Sequence, residues 1–180
     1  MTCFLLSQRR PKCELCDAQR DSLMPWLSAV ITTSPLLAAE LARCGCKTER
    51  IHVLPCCLSA EQEKVALALP ERQPAGNAAM AVLFIGRLDS YKRVDWLLEA
   101  LAQLPQPWRL DVVGDGPKRA ALEAHAQALV GSGAAVCFHG RLDEATKLQC
   151  LARADLLVLP SDRCNEAFGI VQLEAMAAGM

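Results

Sequence analysis

Short apolar runs alternate with helically spaced apolar residues along most of the chain, but the two halves differ in regularity. Residues 1–28 carry no clear period and read as irregular. Ala29-Val30-Ile31-Thr32-Thr33 is a β-branched run and predicts a strand. Ser34 stands where an N-cap belongs and Pro35 where a first helical residue belongs, so a helix over Leu36–Cys44 follows and stops at Gly45. Ile51–Leu54 predicts a second strand ended by Pro55, and Glu61–Leu69 a weak helix. Pro70, Pro74, Gly76 and Asn77 then punctuate a linker. From Ala79 the pattern becomes regular. Strands are predicted at Met80–Ile85, Trp108–Val113, Ala135–Phe138 and Leu156–Leu159. Helices are predicted at Val94–Leu104, Pro117–Val130, Glu144–Arg153 and Phe168–Ala178, the first with apolar residues at 94, 97, 98 and 101.

Strand and helix alternating at short intervals imply an α/β fold: a Rossmann-like parallel sheet with helices on both faces. In such a sheet every strand points the same way, so the loops leaving the strand ends share one rim, where ligands bind.

Composition narrows the function classes. With 52% hydrophobic and 22% charged residues over 180 positions, the chain is globular and holds one ordinary domain or two small pieces. A net charge of −1 without a polybasic run marks neither a nucleic-acid surface nor a membrane patch. The opening apolar stretch, Met1–Leu6, is too short for a signal peptide, and Arg9 and Arg10 follow it rather than precede it. No window approaches the ~20 apolar residues of a membrane span. The expectation is a cytoplasmic protein.

The 10 cysteines include Cys13-x-x-Cys16, Cys44-x-Cys46 and adjacent Cys56-Cys57. Two thiolate pairs could complete a tetrahedral zinc site. The bland alternative is a set of reduced, mostly buried thiols.

Chemistry concentrates in four loops at the later strand exits: Gly86–Lys92, Gly114–Pro117, Gly140–Leu142 and Ser161–Gly169. Arg87 and Lys92 share the first. Arg as a bidentate fork and Lys as a point charge could hold a diphosphate, or both could be ordinary solvated charges. Gly114-Asp115-Gly116-Pro117-Lys118 lacks the spacing of a Walker A motif and of the dinucleotide fingerprint. It reads as a tight turn before a helix, with room to wall a base pocket. In the last loop, Glu166 precedes a helix that contains Glu174, and Gly169 leaves backbone N–H groups open near the helix start. The two carboxylates could accept hydrogen bonds from sugar or ribose hydroxyls. Alternatively, Glu166 is a favourable helix-start acid and Glu174 an exposed helical charge.

Taken in order, the motifs G-R-L-x-x-x-K-x-V-D (86–95), V-G-D-G-P (113–117), F-H-G-R-L (138–142), A-D-L-L-V-L-P-S (154–161) and E-A-F-G-I-V-x-L-E-A-M-A-A-G (166–179) resemble the C-terminal domain of the group 1 (family 4) retaining glycosyltransferases of GT-B fold. The resemblance covers about a hundred residues, and the E-x7-E stretch is its most specific part. Val30–Ser34 and Arg50–Pro55 are similar to the last elements of the family's N-terminal, acceptor-binding domain. The family often continues P-N-G-V-D, where this chain has Pro55-Cys56-Cys57-Leu58-Ser59.

The resemblance implies an acceptor-domain remnant over 1–55, an interdomain linker over 56–78 and a donor-binding domain over 79–180, with both ends of the family's fold cut short. It implies transfer of a hexose from a nucleotide sugar, such as a UDP- or GDP-hexose, to a hydroxyl of a glycan or lipid-linked acceptor, with retention. Cell-envelope or exopolysaccharide synthesis is the family-level setting. A full-length protein could associate peripherally with the inner face of a membrane. Arg87 and Lys92 would hold the diphosphate, and Glu166 would contact the donor sugar. Gly86 lies in the same diphosphate loop. Phe168, Gly169 and Ile170 would offer backbone N–H groups, Glu174 would bind the ribose, and Gly140, Arg141 and Leu142 would line the base pocket. No cofactor and no metal are implied, and no D-x-D motif is present. Because donor and acceptor must share one cleft, the 180 residues alone are expected not to turn over. The competing readings are a non-catalytic nucleotide-sugar-binding fragment, a small redox or zinc protein, and a dehydrogenase-type domain, which the missing fingerprint argues against.

Overall fold

The structure, a computed structural model, describes residues 3–5, 26–69, 79–105, 107–129, 134–162 and 169–180. These fall into two compact units. One holds the described residues up to Cys57 together with Gly169. The other comprises Leu58–Asp162 and Ile170–Met180.

The first unit is a three-stranded parallel sheet in the order β1-β2-β3, with β1 at Cys3–Leu5, β2 at Ala29–Thr32 and β3 at Ile51–Val53. Helix α1 spans Pro35–Arg43 and is capped by Ser34, whose Oγ accepts from the Leu37 N–H at 3.2 Å. Its small core joins Val30, Leu41 and Cys46. Strand β1 falls inside the segment whose sequence reads as irregular. A three-residue strand shows no period of its own; its register beside Ala29–Ile31 comes from tertiary pairing.

The second unit carries helix α2 (Ala60–Leu67) and a four-stranded, wholly parallel sheet. Its strands are β4 (Met80–Ile85), β5 (Trp108–Val113), β6 (Ala134–Gly140) and β7 (Leu156–Leu157). Helices α3 (Val94–Ala102), α4 (Arg119–Leu129), α5 (Glu144–Arg153) and α6 (Ile170–Ala177) connect and follow them. The strand order is β6-β5-β4-β7. The chain steps outward from β4 to β5 to β6, then returns through α5 to the far side of β4. The winding direction therefore reverses between β4 and β7.

That reversal sorts the helices by face. The alternating side chains of each strand serve two cores. Val82, Phe84, Leu110 and Val112 face the side of α3 and α4 and pack with Leu97, Leu98, Leu101 and Leu122. Leu83 and Val113 face the other side and pack with Leu148 and Leu151 of α5, Ala175 of α6 and Ala66 of α2. Burying each such large side chain contributes ~1.5–3 kcal/mol, so a strand such as β4, buried on both faces, anchors the unit. Asp155 secures its start: its Oδ2 accepts from the Ala81 N–H at 2.7 Å, and its own N–H donates to the Ala81 carbonyl at 2.6 Å.

Several boundaries shift from the sequence reading. Strand β7 is only two residues long, and β6 runs the full seven residues to Gly140. Helix α4 begins at Arg119 rather than Pro117, because residues 117 and 118 form a turn. Among the described cysteines, Cys46 is buried, Cys57 and Cys137 are exposed, and Cys44, Cys56 and Cys150 lie between, so these six are not mostly buried. The pair Cys13–Cys16 lies outside the described residues. No described helix is long and apolar enough to cross a membrane.

Candidate functional site

The carboxyl ends of β4, β5, β6 and β7 share one rim, and the point where strand order reverses lies between β4 and β7. In an open α/β sheet the crevice for a ligand opens there, because the two flanking loops lead to opposite faces. The loop after β4 is Gly86–Arg93, the one that carries Arg87 and Lys92. The loop after β7 leads toward α6, the helix that carries Glu174.

Glycines bring the strand exits close together. The Gly86 N–H donates to the Val113 carbonyl at 2.9 Å, and the Gly114 N–H donates to the Gly140 carbonyl at 2.7 Å. Gly114 has φ +128°, and a Cβ there would overlap the Gly86 carbonyl oxygen. A Cβ on Gly116 would lie 2.6–2.8 Å from the Leu88 backbone. The contacts that require this glycine are Leu88 N–H to Asp115 carbonyl and Lys118 N–H to Leu88 carbonyl, both 3.0 Å. The Gly114–Pro117 segment is thus a turn packed against the first rim loop.

Within that first loop, Arg87 is exposed, and its Nε lies 2.8 Å from Asp89 Oδ2. Lys92 is only 8% exposed, so it is not an ordinary surface charge; its Nζ sits 5.3 Å from the centre of the Tyr91 ring. Arg93 follows with φ 49° and ψ 41°, a left-handed conformation that costs a non-glycine residue about 1–2 kcal/mol. Its guanidinium forks onto Asp95 at 2.8 and 3.2 Å, lies 3.7 Å over the Trp96 ring and reaches Asp162 Oδ2 at 3.4 Å. The Asp162 N–H also donates to the Tyr91 carbonyl at 3.0 Å. Arg93 and Asp162 therefore tie the loop after β4 to the loop after β7 at the reversal point. Sequence reasoning assigned neither a role. The two-residue spacing of Arg93 and Asp95 is a local signal for the fork, whereas Asp162, 69 residues from Arg93, leaves none.

Of the other sequence-selected residues, Gly140 ends β6 with φ +71°, Arg141 is exposed, and Leu142 packs against the α5–α6 core. Ile170 opens α6 and is half exposed, and Gly169 before it has φ +70°. Glu174 is not an exposed helical charge: it is 8% exposed and lies 2.9 Å from Lys147 Nζ of α5. Lys147 also meets Glu144 at 2.9 Å. Burial works to lower the Lys147 pKa, but the hydrogen bonds and charges of Glu174 and Glu144 raise it above the ordinary lysine value. Glu166 and Phe168 lie outside the described residues.

A cleft of about 240 Å³ opens beside the first rim loop, lined among others by Asp89, Ser90, Arg93, Asp95, Lys118 and His125. It contains none of the sequence-selected residues, and its polar lining comes from the loop before α3, the start of α3, Lys118 just before α4 and His125 within α4. Lys118 lies at its border with the 114–117 turn.

Comparison with known proteins converges on one group. The family model for glycosyl transferases group 1 matches residues 69–180. A D-inositol 3-phosphate glycosyltransferase of Xylanimonas cellulosilytica is 29% identical over 163 residues, covering 84% of this chain and 39% of that protein. The D-rhamnosyltransferase WbpZ of Pseudomonas aeruginosa is 39% identical over 97 residues, covering 54% of this chain and 24% of its own length. Among solved structures, a sucrose-phosphate synthase from Thermosynechococcus elongatus superposes with a TM-score of 0.72 at 27% identity, over 94% of this chain and 43% of that one. HepE of Anabaena in complex with UDP superposes with a TM-score of 0.71 at 22% identity, over 98% and 51%. The chain thus spans about half or less of the lengths of these proteins. These structural neighbours are GT-B glycosyltransferases, in keeping with the parallel α/β sheet found here. With a matching family model over more than half of its residues, and with the strand order and rim loops described above, the chain belongs to the group 1 glycosyltransferases.

Proposed function

We propose that this chain supplies the donor side of a hexosyl transfer, holding a nucleotide diphosphate sugar at the reversal point between β4 and β7. The observation that carries the reading is the pairing of a buried Lys92 and an exposed Arg87 in the loop after β4. That loop is tied through Arg93 and Asp162 to the loop after β7. A diphosphate laid on this rim meets cations from one loop and, at the start of α6, backbone N–H groups from the next.

In the proposed reaction the bond between the sugar's anomeric carbon and the diphosphate oxygen breaks, and negative charge grows on the departing phosphate. Arg87 and Lys92 stabilise that charge, an electrostatic contribution that is larger in the transition state than in the ground state. Glu174 receives the ribose hydroxyls and Glu166 the donor sugar. Gly86, Gly140, Arg141 and Leu142 border the diphosphate and base. The acceptor hydroxyl, on a glycan or a lipid-linked sugar, takes the hexose on the face the diphosphate leaves, so the anomeric configuration is retained. Solved neighbours carrying UDP or UDP-glucose support a nucleotide-sugar donor. The side chains named here hold the diphosphate without a metal ion or cofactor. Work in cell-envelope or exopolysaccharide synthesis, at the cytoplasmic face of a membrane, fits this chemistry.

The test is transfer by the full-length protein from UDP- and GDP-hexoses to a panel of hydroxyl acceptors, with the product anomer read by NMR. Product with the donor's anomeric configuration supports the proposal; an inverted product overturns retention, and absence of transfer from every nucleotide sugar overturns the donor class.

A further inference from the structure

A second cluster of chemistry-bearing side chains lies on the other face of the sheet, away from α3 and α4. Strands β5 and β6 pair Asp111 directly with Cys137. The register then slips between Val112 and Val113, so that Val113 faces Gly140 and His139 is the extra residue of a bulge. A bulge re-aims the side chain it carries, and here the His139 ring reaches both neighbours. Its Nε2 lies 2.7 Å from Asp111 Oδ1 and its Nδ1 lies 3.9 Å from Cys137 Sγ. One ligand atom from each of the three residues falls within 4.8 Å of the others. Helix α5 covers the adjoining part of this face through Leu148 and Leu151.

We propose that Asp111, Cys137 and His139 form a three-residue binding site for a thiophilic divalent cation, with zinc as the best fit and water completing its coordination. A thiolate, an imidazole and a carboxylate together suit zinc; magnesium and calcium prefer oxygen donors alone. At bond lengths of about 2.0–2.3 Å, tetrahedral ligand atoms stand roughly 3.5 Å apart. Among Asp111, Cys137 and His139 the ligand-atom separations, all within 4.8 Å, reach that spacing by shifts of about one ångström. Cys137 and His139 are exposed on the edge strand, so the ion has a direct way in. Binding would staple β5 and β6 together. The site is built on the sheet face rather than on the rim loops, and it is independent of the donor reading above.

The test is titration of the full, reduced chain with Zn2+ and with Co2+ in the presence of a competing chelator, following cobalt absorption and the melting temperature. The expected result is one ion per chain, thiolate-to-cobalt charge-transfer bands with intense tetrahedral d–d bands, and a higher melting temperature with zinc. Cys137→Ser and His139→Gln each weaken binding at least tenfold. Circular dichroism establishes that the variants fold. The Cys13→Ser/Cys16→Ser double variant is expected to keep the full signal. No ion bound at micromolar metal overturns the proposal. So does a cobalt spectrum that survives Cys137→Ser and His139→Gln, or one lost in the Cys13/Cys16 variant.

Discussion

The carboxylate of Glu174 lies 2.9 Å from the ammonium of Lys147, joining α6 to α5 by a pair whose side chains are only 10% and 16% exposed. A buried carboxylate without a counter-charge is costly, and so is a buried ammonium. Lys147→Met is expected to lower stability by roughly 1–3 kcal/mol, because Glu174 loses its partner while remaining in the α5–α6 core. The pH dependence has a definite sign. The Lys147 pKa is raised in the folded chain, so the pair's contribution is fully present below the ordinary lysine value of 10.5 and is lost as pH rises through the raised value. Melting curves from pH 7 to 11 should show the wild-type chain converging on the Lys147→Met variant only at the alkaline end.

Gly114→Ala tests the rim from the backbone side. The added Cβ meets the Gly86 carbonyl oxygen and must adopt φ +128°, a region L side chains rarely enter. Both effects push the exits of β4 and β5 apart. The expected loss is about 2–4 kcal/mol, read by denaturant unfolding, with Gly179→Ala as a milder comparison because nothing lies within 4 Å of its Cβ position. Equal stability of wild type and Gly114→Ala would mean the rim tolerates separation.

The tie between Arg93 and Asp162 predicts a binding effect without a binding contact. Asp162→Ala removes the 3.4 Å contact to the Arg93 guanidinium, while Asp95 still holds that side chain at 2.8 Å. The chain should keep its melting temperature within about a degree, since exposed or partly exposed ion pairs contribute little. Donor affinity should fall several-fold, because the two loops lose their common orientation. Calorimetry beside a melting curve separates the two readouts.

Asp143 gives an acid-side prediction. Its Oδ1 accepts from the Thr146 N–H at 2.7 Å and caps α5. Backbone and side-chain hydrogen bonds from Thr146 hold its pKa below the usual 3.8. A depressed carboxylate pKa stabilises the fold above the unfolded value, and that contribution disappears as pH falls through the folded value. The melting-temperature gap between wild type and Asp143→Ala should therefore be constant from pH 5 to 8 and close below about pH 4.

Much of this architecture is legible in the chain itself. The buried run Met80–Ile85 and the 94/97/98/101 spacing fix β4 and α3 because both are strongly periodic. Ser34 and Pro35 mark the start of α1 through capping chemistry alone. Strand β1 was not legible, since three residues carry no period and its partner lies 26 positions away. At the site, the sequence identifies which loops share the rim, because parallel strands dictate it. It does not show that Gly116 packs against the Leu88 backbone, or that Glu174 meets Lys147. Nor does it reveal the contact of His139 with Asp111. Each of these depends on how neighbouring elements approach, and the last also on a bulge that no local pattern announces.

Donor binding at the proposed site, the reversal point between β4 and β7, is open to direct measurement. Calorimetric titration of the chain with UDP- and GDP-hexoses, repeated on Arg87→Ala and Glu174→Ala, reads it in one experiment. The expected result is saturable binding of one nucleotide sugar that each substitution weakens at least tenfold, equivalent to ~1.4 kcal/mol or more. Binding that survives both substitutions unchanged, or no binding of any nucleotide sugar by the folded wild-type chain, would contradict it.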